Sequence, residues 1–350
     1  MLLTPEELKR SSEIQTQILE FAQENPSPPV DWSNAAAVKA LMAHVETVAL
    51  AQLGPAESSI IEAERQIPMR DGFDSAIKIH RPTMKPSTGS PLVVLIYGGG
   101  FIAGSKDQCT GNARALVRLF GAVVVSISYR LGPEHQWPVP ANDGWDSVKW
   151  IASHAHELAA DPSKGFVVGG VSAGGTLALT ITNLSLREKL DPPITGQYLG
   201  IPSTMDTHHV PAKYKSYFLS HKDNAHAPVL DVAALQALAT LNGWTADDVL
   251  RYPILFQDSV PLSSLPPTYF QVCGLDPIRD EALIYDEMLK EAGVRTKVDL
   301  YPGCPHGQWM FMPGPEVSLQ AAGETNVGFG WLLGKETTAE EGLQAFAPWA

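Results

Sequence analysis

The chain has 350 residues, 44% of them hydrophobic, and its 29 glycines and 28 prolines are scattered, which excludes a disordered or low-complexity protein. The formal charge is −13, with 38 acidic and 25 basic residues and no tract rich in lysine or arginine. That balance argues against a nucleic-acid partner and against binding to an anionic membrane surface.

Two helices are predicted before any strand. Thr4 and Pro5 are typical of a helix start, and apolar residues then recur at helical spacing until a break between Asn25 and Pro29, which predicts one amphipathic helix. A second helix is predicted over 34–53. We expect residues 1–55 to form part of a cap across the mouth of a site. No secretory signal and no uninterrupted apolar stretch of about 18 residues is present, so no membrane-spanning helix is expected.

From residue 56 the pattern changes to strands that alternate with helices. A hairpin is predicted over 59–81, and strands follow at 92–97, 122–129, 165–169, 195–200, 268–273 and 296–301, with helices at 109–120, 141–158, 173–189, 279–292 and 316–334. This alternation predicts an α/β fold with a mostly parallel sheet covered on both faces. We assign 56–201 and 267–336 to this core, and 337–350 to a C-terminal tail.

The alternation stops over residues 202–266, which we interpret as an inserted second part of the cap. Its aromatic residues suit either the cap's own core or the wall of a substrate pocket, and core packing explains most of them. Asp206, His208 and His209 lie together here, but adjacent histidines of an extended chain point to opposite sides and a third ligand is missing. We therefore expect no metal.

The pattern G-x-S-x-G occurs as Gly170-Val171-Ser172-Ala173-Gly174, between a predicted strand and a predicted helix. A serine at a sharp strand-to-helix turn is an exposed nucleophile, and small residues on either side leave room for that turn. The pentapeptide alone arises readily by chance, but its position favours Ser172 as a nucleophile.

Three glycines, Gly98 to Gly100, directly follow the predicted strand over 92–97. Glycines allow backbone N–H groups to converge on an oxyanion. A plain loop and a phosphate-binding turn are the alternatives, but no nucleotide-binding motif accompanies the glycines. We therefore expect no nucleotide cofactor.

An acid and a base follow downstream in the order expected of a catalytic triad. Asp276 comes directly after a predicted strand, whereas Asp280 already begins a helix, and His306 comes after the next strand. The order serine, aspartate, histidine is that of α/β-hydrolases. Cys304, two residues before His306, suits a packing role better than a catalytic one.

These motifs together resemble the hormone-sensitive-lipase-like α/β-hydrolases, which include microbial carboxylesterases and arylacetamide deacetylase. The resemblance covers roughly residues 60 to 335 and rests on the segments YGGG from Tyr97, YRLGPEH from Tyr129, GVSAGG from Gly170, DPIRD from Asp276 and the dipeptide His306-Gly307.

The resemblance implies a triad of Ser172, Asp276 and His306, and a helical cap. It also implies an oxyanion hole built from the N–H groups of Gly99, Gly100 and Ala173. Tyr97, Gly98 and Glu134 are candidates for loop support, and we favour a structural brace over a second acid for Glu134. Two positions depart from the family: Tyr97 replaces a usual histidine and Val171 a usual aspartate.

The expected activity is hydrolysis of a carboxylic ester of a small-to-medium, apolar substrate through an acyl-enzyme, without a cofactor. Amide deacetylation, lactone opening, acyl transfer and a non-catalytic ligand-binding role remain open. Cys109, Cys273 and Cys304 are an odd, sparse set, which predicts a reducing compartment, the cytoplasm. The sequence leaves open whether the chain forms a homodimer.

Overall fold

A computed structural model describes residues 2–26 and 30–346, so part of the predicted break at Asn25 to Pro29 lies outside the described residues. The strands are β1 (Ile60–Pro68), β2 (Asp74–Pro82), β3 (Leu92–Ile96), β4 (Val123–Ile127), β5 (Phe166–Val171), β6 (Gly196–Gly200), β7 (Thr268–Leu275) and β8 (Thr296–Pro305). They form an eight-stranded sheet in the order β1-β2-β4-β3-β5-β6-β7-β8.

The sheet is mostly parallel, as the sequence predicted. Strands β4, β3, β5, β6, β7 and β8 pair in parallel, whereas β2 pairs antiparallel with both β1 and β4. Every residue of β3, β4 and β7 is buried, which explains their continuous apolar runs, because a parallel sheet is covered by helices on both faces. The α/β-hydrolase fold is confirmed, and the carboxyl ends of these strands meet at one edge.

The helices are α1 (Pro5–Ser11), α2 (Thr16–Glu24), α3 (Ala35–Leu53), α4 (Thr110–Phe120), α5 (Val139–Ser153), α6 (Ala173–Arg187), α7 (Ser220–Asp223), α8 (Val232–Asn242), α9 (Arg279–Glu291), α10 (Gln308–Phe311), α11 (Glu316–Leu333) and α12 (Ala339–Phe346). Those of the core lie within a few residues of their predicted positions. The inserted segment contains α7 and α8.

The first predicted helix is wrong as a single element, because the chain turns between α1 and α2. The buried Arg279 causes this turn: its Nη1 donates to the carbonyl oxygen of Leu8 at 2.8 Å and to Ser11 Oγ at 3.0 Å. The backbone N–H of Gln15 then donates to the carbonyl oxygen of Gly303, just beyond the turn. Contacts with residues almost 300 positions away in the sequence thus end α1, and local periodicity carries no sign of them.

The predicted C-terminal tail contains a packed helix, α12. It lies against α11 and α4, and the side-chain amide of Asn326 donates to the carbonyl oxygen of Gly342 at 3.0 Å. An added Cβ at Gly342 would lie 2.4 Å from the carbonyl oxygen of Gly323, so the two helices approach closely. Residues 347–350 lie outside the described part of the chain.

Helix α3 is long and apolar enough to cross a membrane when judged by length and composition alone, with a mean hydropathy of 1.2. In the structure its polar side chains hold it to the core domain. Lys39 pairs with Glu134 at 2.5 Å, and Glu46 accepts hydrogen bonds from the N–H and the hydroxyl of Ser105, both at 2.8 Å. The buried Met42 faces the inserted segment.

We expect Arg279→Met to lower the free energy of unfolding by about 3 kcal/mol or more, measured by urea denaturation. Arg279 Nε lies 2.6 Å from Oδ1 of the buried Asp280, so the substitution leaves this carboxylate without its positive partner. It also removes the hydrogen-bond donor to Leu8 at the end of α1. Arg65→Met is the control, because its pair with Glu157 is solvent-exposed and worth about 1 kcal/mol at most. Similar losses of unfolding free energy in both variants would contradict the inference that the buried Arg279 stabilises the fold.

Candidate active site

Ser172 lies on a tight turn between β5 and α6, with a φ of 55° and a ψ of −119°. A positive φ is unusual for a residue other than glycine and is maintained here by the surrounding structure. An added Cβ at Gly170 would lie 2.4 Å from the backbone of Gly174, and one at Gly174 would lie 2.1 Å from the carbonyl oxygen of Ile96. The two glycines of the pattern are therefore required by steric contact, as expected for a nucleophile at such a turn.

His306 lies between Ser172 and Asp276. Its Nε2 is 2.8 Å from Ser172 Oγ, and its Nδ1 is 2.6 Å from Asp276 Oδ2. With the proton of the neutral imidazole on Nδ1, the histidine donates to the carboxylate and accepts from the serine hydroxyl. Asp276 is buried and its other oxygen accepts from the N–H of Ile278 at 3.0 Å, which fixes the carboxylate in place.

Asp280, the other candidate acid, has a different environment. Its Oδ2 accepts hydrogen bonds from the backbone N–H groups of Leu219 and Ser220, each at 2.6 Å. The carboxylate thus ties the start of α9 to the inserted segment, while Asp276 is the one that contacts His306. The structure separates two aspartates that are only four positions apart.

The glycine loop leaves backbone donors beside Ser172. Gly99 has a φ of 128°, and an added Cβ there would lie 2.2 Å from the carbonyl oxygen of Ala103. Within the described residues, the N–H groups of Gly99 and Gly100 have no backbone or side-chain acceptor. Ala173 is the first residue of α6, so its N–H lacks an intrahelical acceptor. All three residues line one cavity with Ser172.

Of the three residues predicted to support this loop, Gly98 belongs to it and Tyr97 directly precedes it. The Tyr97 hydroxyl donates to the carbonyl oxygen of Tyr129 at 3.1 Å, the reciprocal bond has the same length, and burial raises the pKa of Tyr97, which keeps the hydroxyl protonated. The N–H of Gly98 donates to Gln108 Oε1 at 2.8 Å. Glu134 lies on the surface, where it pairs with Lys39 of α3.

The cavity above Ser172 has a volume of about 310 Å³. Its lining includes residues of α3 and of the inserted segment, among them residues of α8. The indole N–H of Trp32 donates to the carbonyl oxygen of Val229 at 2.7 Å, which joins the chain before α3 to the inserted segment. Among the described residues, none from α1 or α2 lines this cavity. Helix α1 contacts β7 and β8 and is bound by Arg279 of α9, while Gln15, at the start of α2, is bound by Gly303 of β8.

Several polar residues of the cavity were missed by the sequence analysis. These are Ser203, His221, Arg251 and Glu281. They come from four separate segments and form no motif, so no local signal marks them.

The family model for the α/β-hydrolase fold matches residues 93–310, which is more than half of the chain. The chain belongs to the hormone-sensitive-lipase-like carboxylesterases. It is 33% identical to versiconal hemiacetal acetate esterase of Dothistroma septosporum, over 76% of this chain and 81% of that protein. It is 36% identical to esterase LipI of Mycobacterium tuberculosis, over 65% and 68% of the two chains.

Solved structures of this carboxylesterase fold are similar over almost the whole chain. Vibralactone cyclase has a TM-score of 0.86 at 29% identity and covers 95% of this chain and 98% of its own. A bacterial heroin esterase has a TM-score of 0.76 at 25% identity, with 96% and 97% covered. The resemblance found in the sequence motifs is thereby confirmed, and the protein is a carboxylic ester hydrolase.

We expect Gly174→Ala to lower the kcat/KM of this carboxylesterase for p-nitrophenyl butanoate by about a hundredfold or more. The new methyl group displaces the turn from Ile96, and a shift of about 1 Å in a reacting group costs that much.

The matched control is Gly334→Ala, because Gly334 also has a positive φ of 64° but has open space around an added Cβ. It should lose stability without losing activity. Equal activity losses in the two variants would show that the turn at Ser172 is not the cause.

Proposed function

We propose that Ser172, His306 and Asp276 form the catalytic triad and cleave the ester through an acyl-enzyme. The observation that carries this proposal is the continuous pair of hydrogen bonds, 2.8 Å and 2.6 Å long, from Ser172 through His306 to Asp276. His306 accepts the serine proton as the hydroxyl attacks the ester carbonyl, and then returns the proton to the leaving alcohol. Water repeats the sequence on the acyl-enzyme, and no cofactor takes part.

The negative charge on the carbonyl oxygen is stabilised in this proposal by the N–H groups of Gly99, Gly100 and Ala173. Two observations support this role. The three residues line the same cavity as Ser172, and the N–H groups of Gly99 and Gly100 have no other acceptor among the described residues. Loss of one such donor typically costs about 3 kcal/mol in transition-state stabilisation. The packing of Gly99 against Ala103 keeps the loop in this conformation.

The substrate is proposed to be a small-to-medium ester with an apolar body. A cavity of about 310 Å³ lies at the lower end of the usual range for small-molecule sites, and Trp32, Leu235 and Leu238 contribute apolar wall. The cap is proposed to consist of α3, of Trp32 before it and of residues 202–266. A relative whose name specifies an acetate ester is in keeping with a short acyl group.

Closure of a lactone is a second candidate, favoured by the likeness to vibralactone cyclase over 95% of this chain. A hydroxyl of the substrate itself would then replace water as the group that attacks the acyl-enzyme. Both reactions use the same triad and oxyanion donors.

A cytoplasmic location is also proposed. Its support is that Cys109, Cys273 and Cys304 are all free and buried, as suits a reducing compartment. Burial raises the pKa of the Cys304 thiol to about 12, so this thiol stays protonated and unreactive beside His306.

Ser172→Ala should abolish turnover of p-nitrophenyl butanoate while leaving the melting temperature within a few degrees of the wild type. A fluorophosphonate probe should add mass to a peptide that contains Ser172 in the wild type and to no peptide in the variant. Residual kcat above a few per cent, with contaminating esterases removed, would refute the nucleophile assignment.

Asp276→Asn should lower kcat by about a thousandfold or more, because an asparagine no longer holds the imidazole in the required tautomer. Asp280→Asn is the control: its carboxylate contacts Arg279 and the N–H groups of Leu219 and Ser220 rather than His306. It should lower the melting temperature but change kcat, per folded molecule, by about tenfold at most. The reverse order of kcat values would assign the acid to Asp280.

A further inference from the structure

Arg251 is a buried cation in the wall of the active-site cavity, with 6% of its surface exposed. The other two arginines that are buried among the described residues each pair with a carboxylate, Arg114 with Glu62 and Arg279 with Asp280. Arg251 has no such ion pair within the described chain. Its Nη1 and Nη2 both donate to Ser203 Oγ at 3.1 Å, and its Nε, also buried, has no partner.

The guanidinium group is held rigidly. It lies 4.4 Å from the ring centroid of Trp244, 4.6 Å from that of Tyr252 and 5.7 Å from that of Phe101. Such stacking stabilises the cation and fixes its plane. Phe101 directly follows the glycine loop, and Arg251 and the glycines line the same cavity.

Its hydrogen-bonding partner is tied to the nucleophile helix. The N–H of Ser203 donates to Thr176 Oγ1 at 3.1 Å, and Thr176 lies one helical turn beyond Ser172. A group bound by Arg251 would therefore sit in the same cavity as the reacting carbonyl, while Ser172 and His306 act on the ester bond. Two of the five guanidinium N–H groups are used on Ser203, and the other three have no acceptor among the described residues.

Arg251 is not required to satisfy the nearest buried carboxylate. Glu281 Oε2 accepts hydrogen bonds from Ser203 Oγ and from the N–H groups of Thr204 and Met205, at 2.8, 3.0 and 3.3 Å. Its other oxygen lies 3.3 Å from His221 Nε2. Burial opposes the charged form of His221, but the hydrogen bond with Glu281 and the negative charges of Glu281, Asp206 and Asp280 together outweigh it and raise the pKa of this histidine.

We propose that Arg251 binds a second, uncharged oxygen acceptor, a ketone or lactone carbonyl, in the part of the ester substrate that does not react. This inference deepens the proposed function and rests on it. A charge-assisted hydrogen bond from a buried guanidinium group selects an oxygen acceptor over a methylene group. The ligand is uncharged because the negative charges of Glu281 and Asp206 already offset the positive charge of Arg251 at this cavity, so a substrate carboxylate would leave an excess of negative charge there.

Two pairs of matched esters test the proposal. The first pair, p-nitrophenyl pentanoate and p-nitrophenyl levulinate, differs by a ketone in the acyl group. The second pair, pentyl acetate and 4-oxopentyl acetate, differs by a ketone in the alcohol. For the wild type we expect the oxo member of at least one pair to have a kcat/KM about tenfold or more above its parent, after correction for hydroxide-catalysed hydrolysis.

The ratio of oxo ester to parent is the readout, because a purely structural role of Arg251 would change both esters alike. It should fall to about one in Arg251→Met and stay at the wild-type value in the control Arg65→Met. If Arg251→Met is unfolded by circular dichroism, Arg251→Lys replaces it, since an ammonium group keeps the charge but loses the planar fork. The ratio should fall there too.

Three results would overturn the inference. They are a wild-type ratio near one in both pairs, a ratio that is unchanged in the folded Arg251 variant, and a preference for mono-p-nitrophenyl succinate over the levulinate. The succinate replaces the methyl ketone by a carboxylate of the same size. Failure of the proposed function looks different, because neither parent ester would then be turned over and the fluorophosphonate would not label Ser172.

Discussion

The tight turn between β5 and α6 is the constraint on which the rest of the site depends. It holds Ser172 at a φ of 55° and brings Gly174 against the end of β3, where an added Cβ would lie 2.1 Å from the Ile96 carbonyl oxygen. The glycine loop begins two residues after Ile96. One backbone contact therefore sets the positions of Ser172 and of the glycine N–H groups relative to each other.

The first turn of α9 joins the segment of Asp276 to the inserted segment, residues 202–266. Asp280 accepts hydrogen bonds from the N–H groups of Leu219 and Ser220, and the next residue, Glu281, accepts from those of Thr204 and Met205. Two adjacent buried carboxylates thus hold the inserted segment at two places. Because α9 begins three residues after Asp276, the inserted segment and the carboxylate that contacts His306 are anchored to the same short stretch of chain.

The cavity is lined by apolar side chains and by polar ones, among them Ser203, His221, Arg251 and Glu281. Apolar side chains of α3 and α8 line part of the cavity, and apolar surroundings strengthen electrostatic interactions. In such surroundings a buried arginine without a carboxylate partner is costly unless a ligand or a hydrogen-bond network compensates for it. Ser203 and the aromatic rings around Arg251 supply part of that compensation, and Arg251 Nε is left without a partner among the described residues.

The sequence by itself determined the order of strands and helices, the mostly parallel sheet, and the motifs that bring Ser172, Asp276 and His306 to one edge. These features depend on local patterns: apolar runs, glycines at fixed offsets from a serine, and single residues directly after strands. Only the tertiary structure decided that the first helix breaks at Ser11, that the C-terminal segment packs as a helix, that Glu134 lies on the surface, and that Arg251 faces the cavity. Each of these outcomes depends on contacts between residues far apart in the chain, such as Arg279 with Leu8, and a single sequence carries no local sign of such contacts.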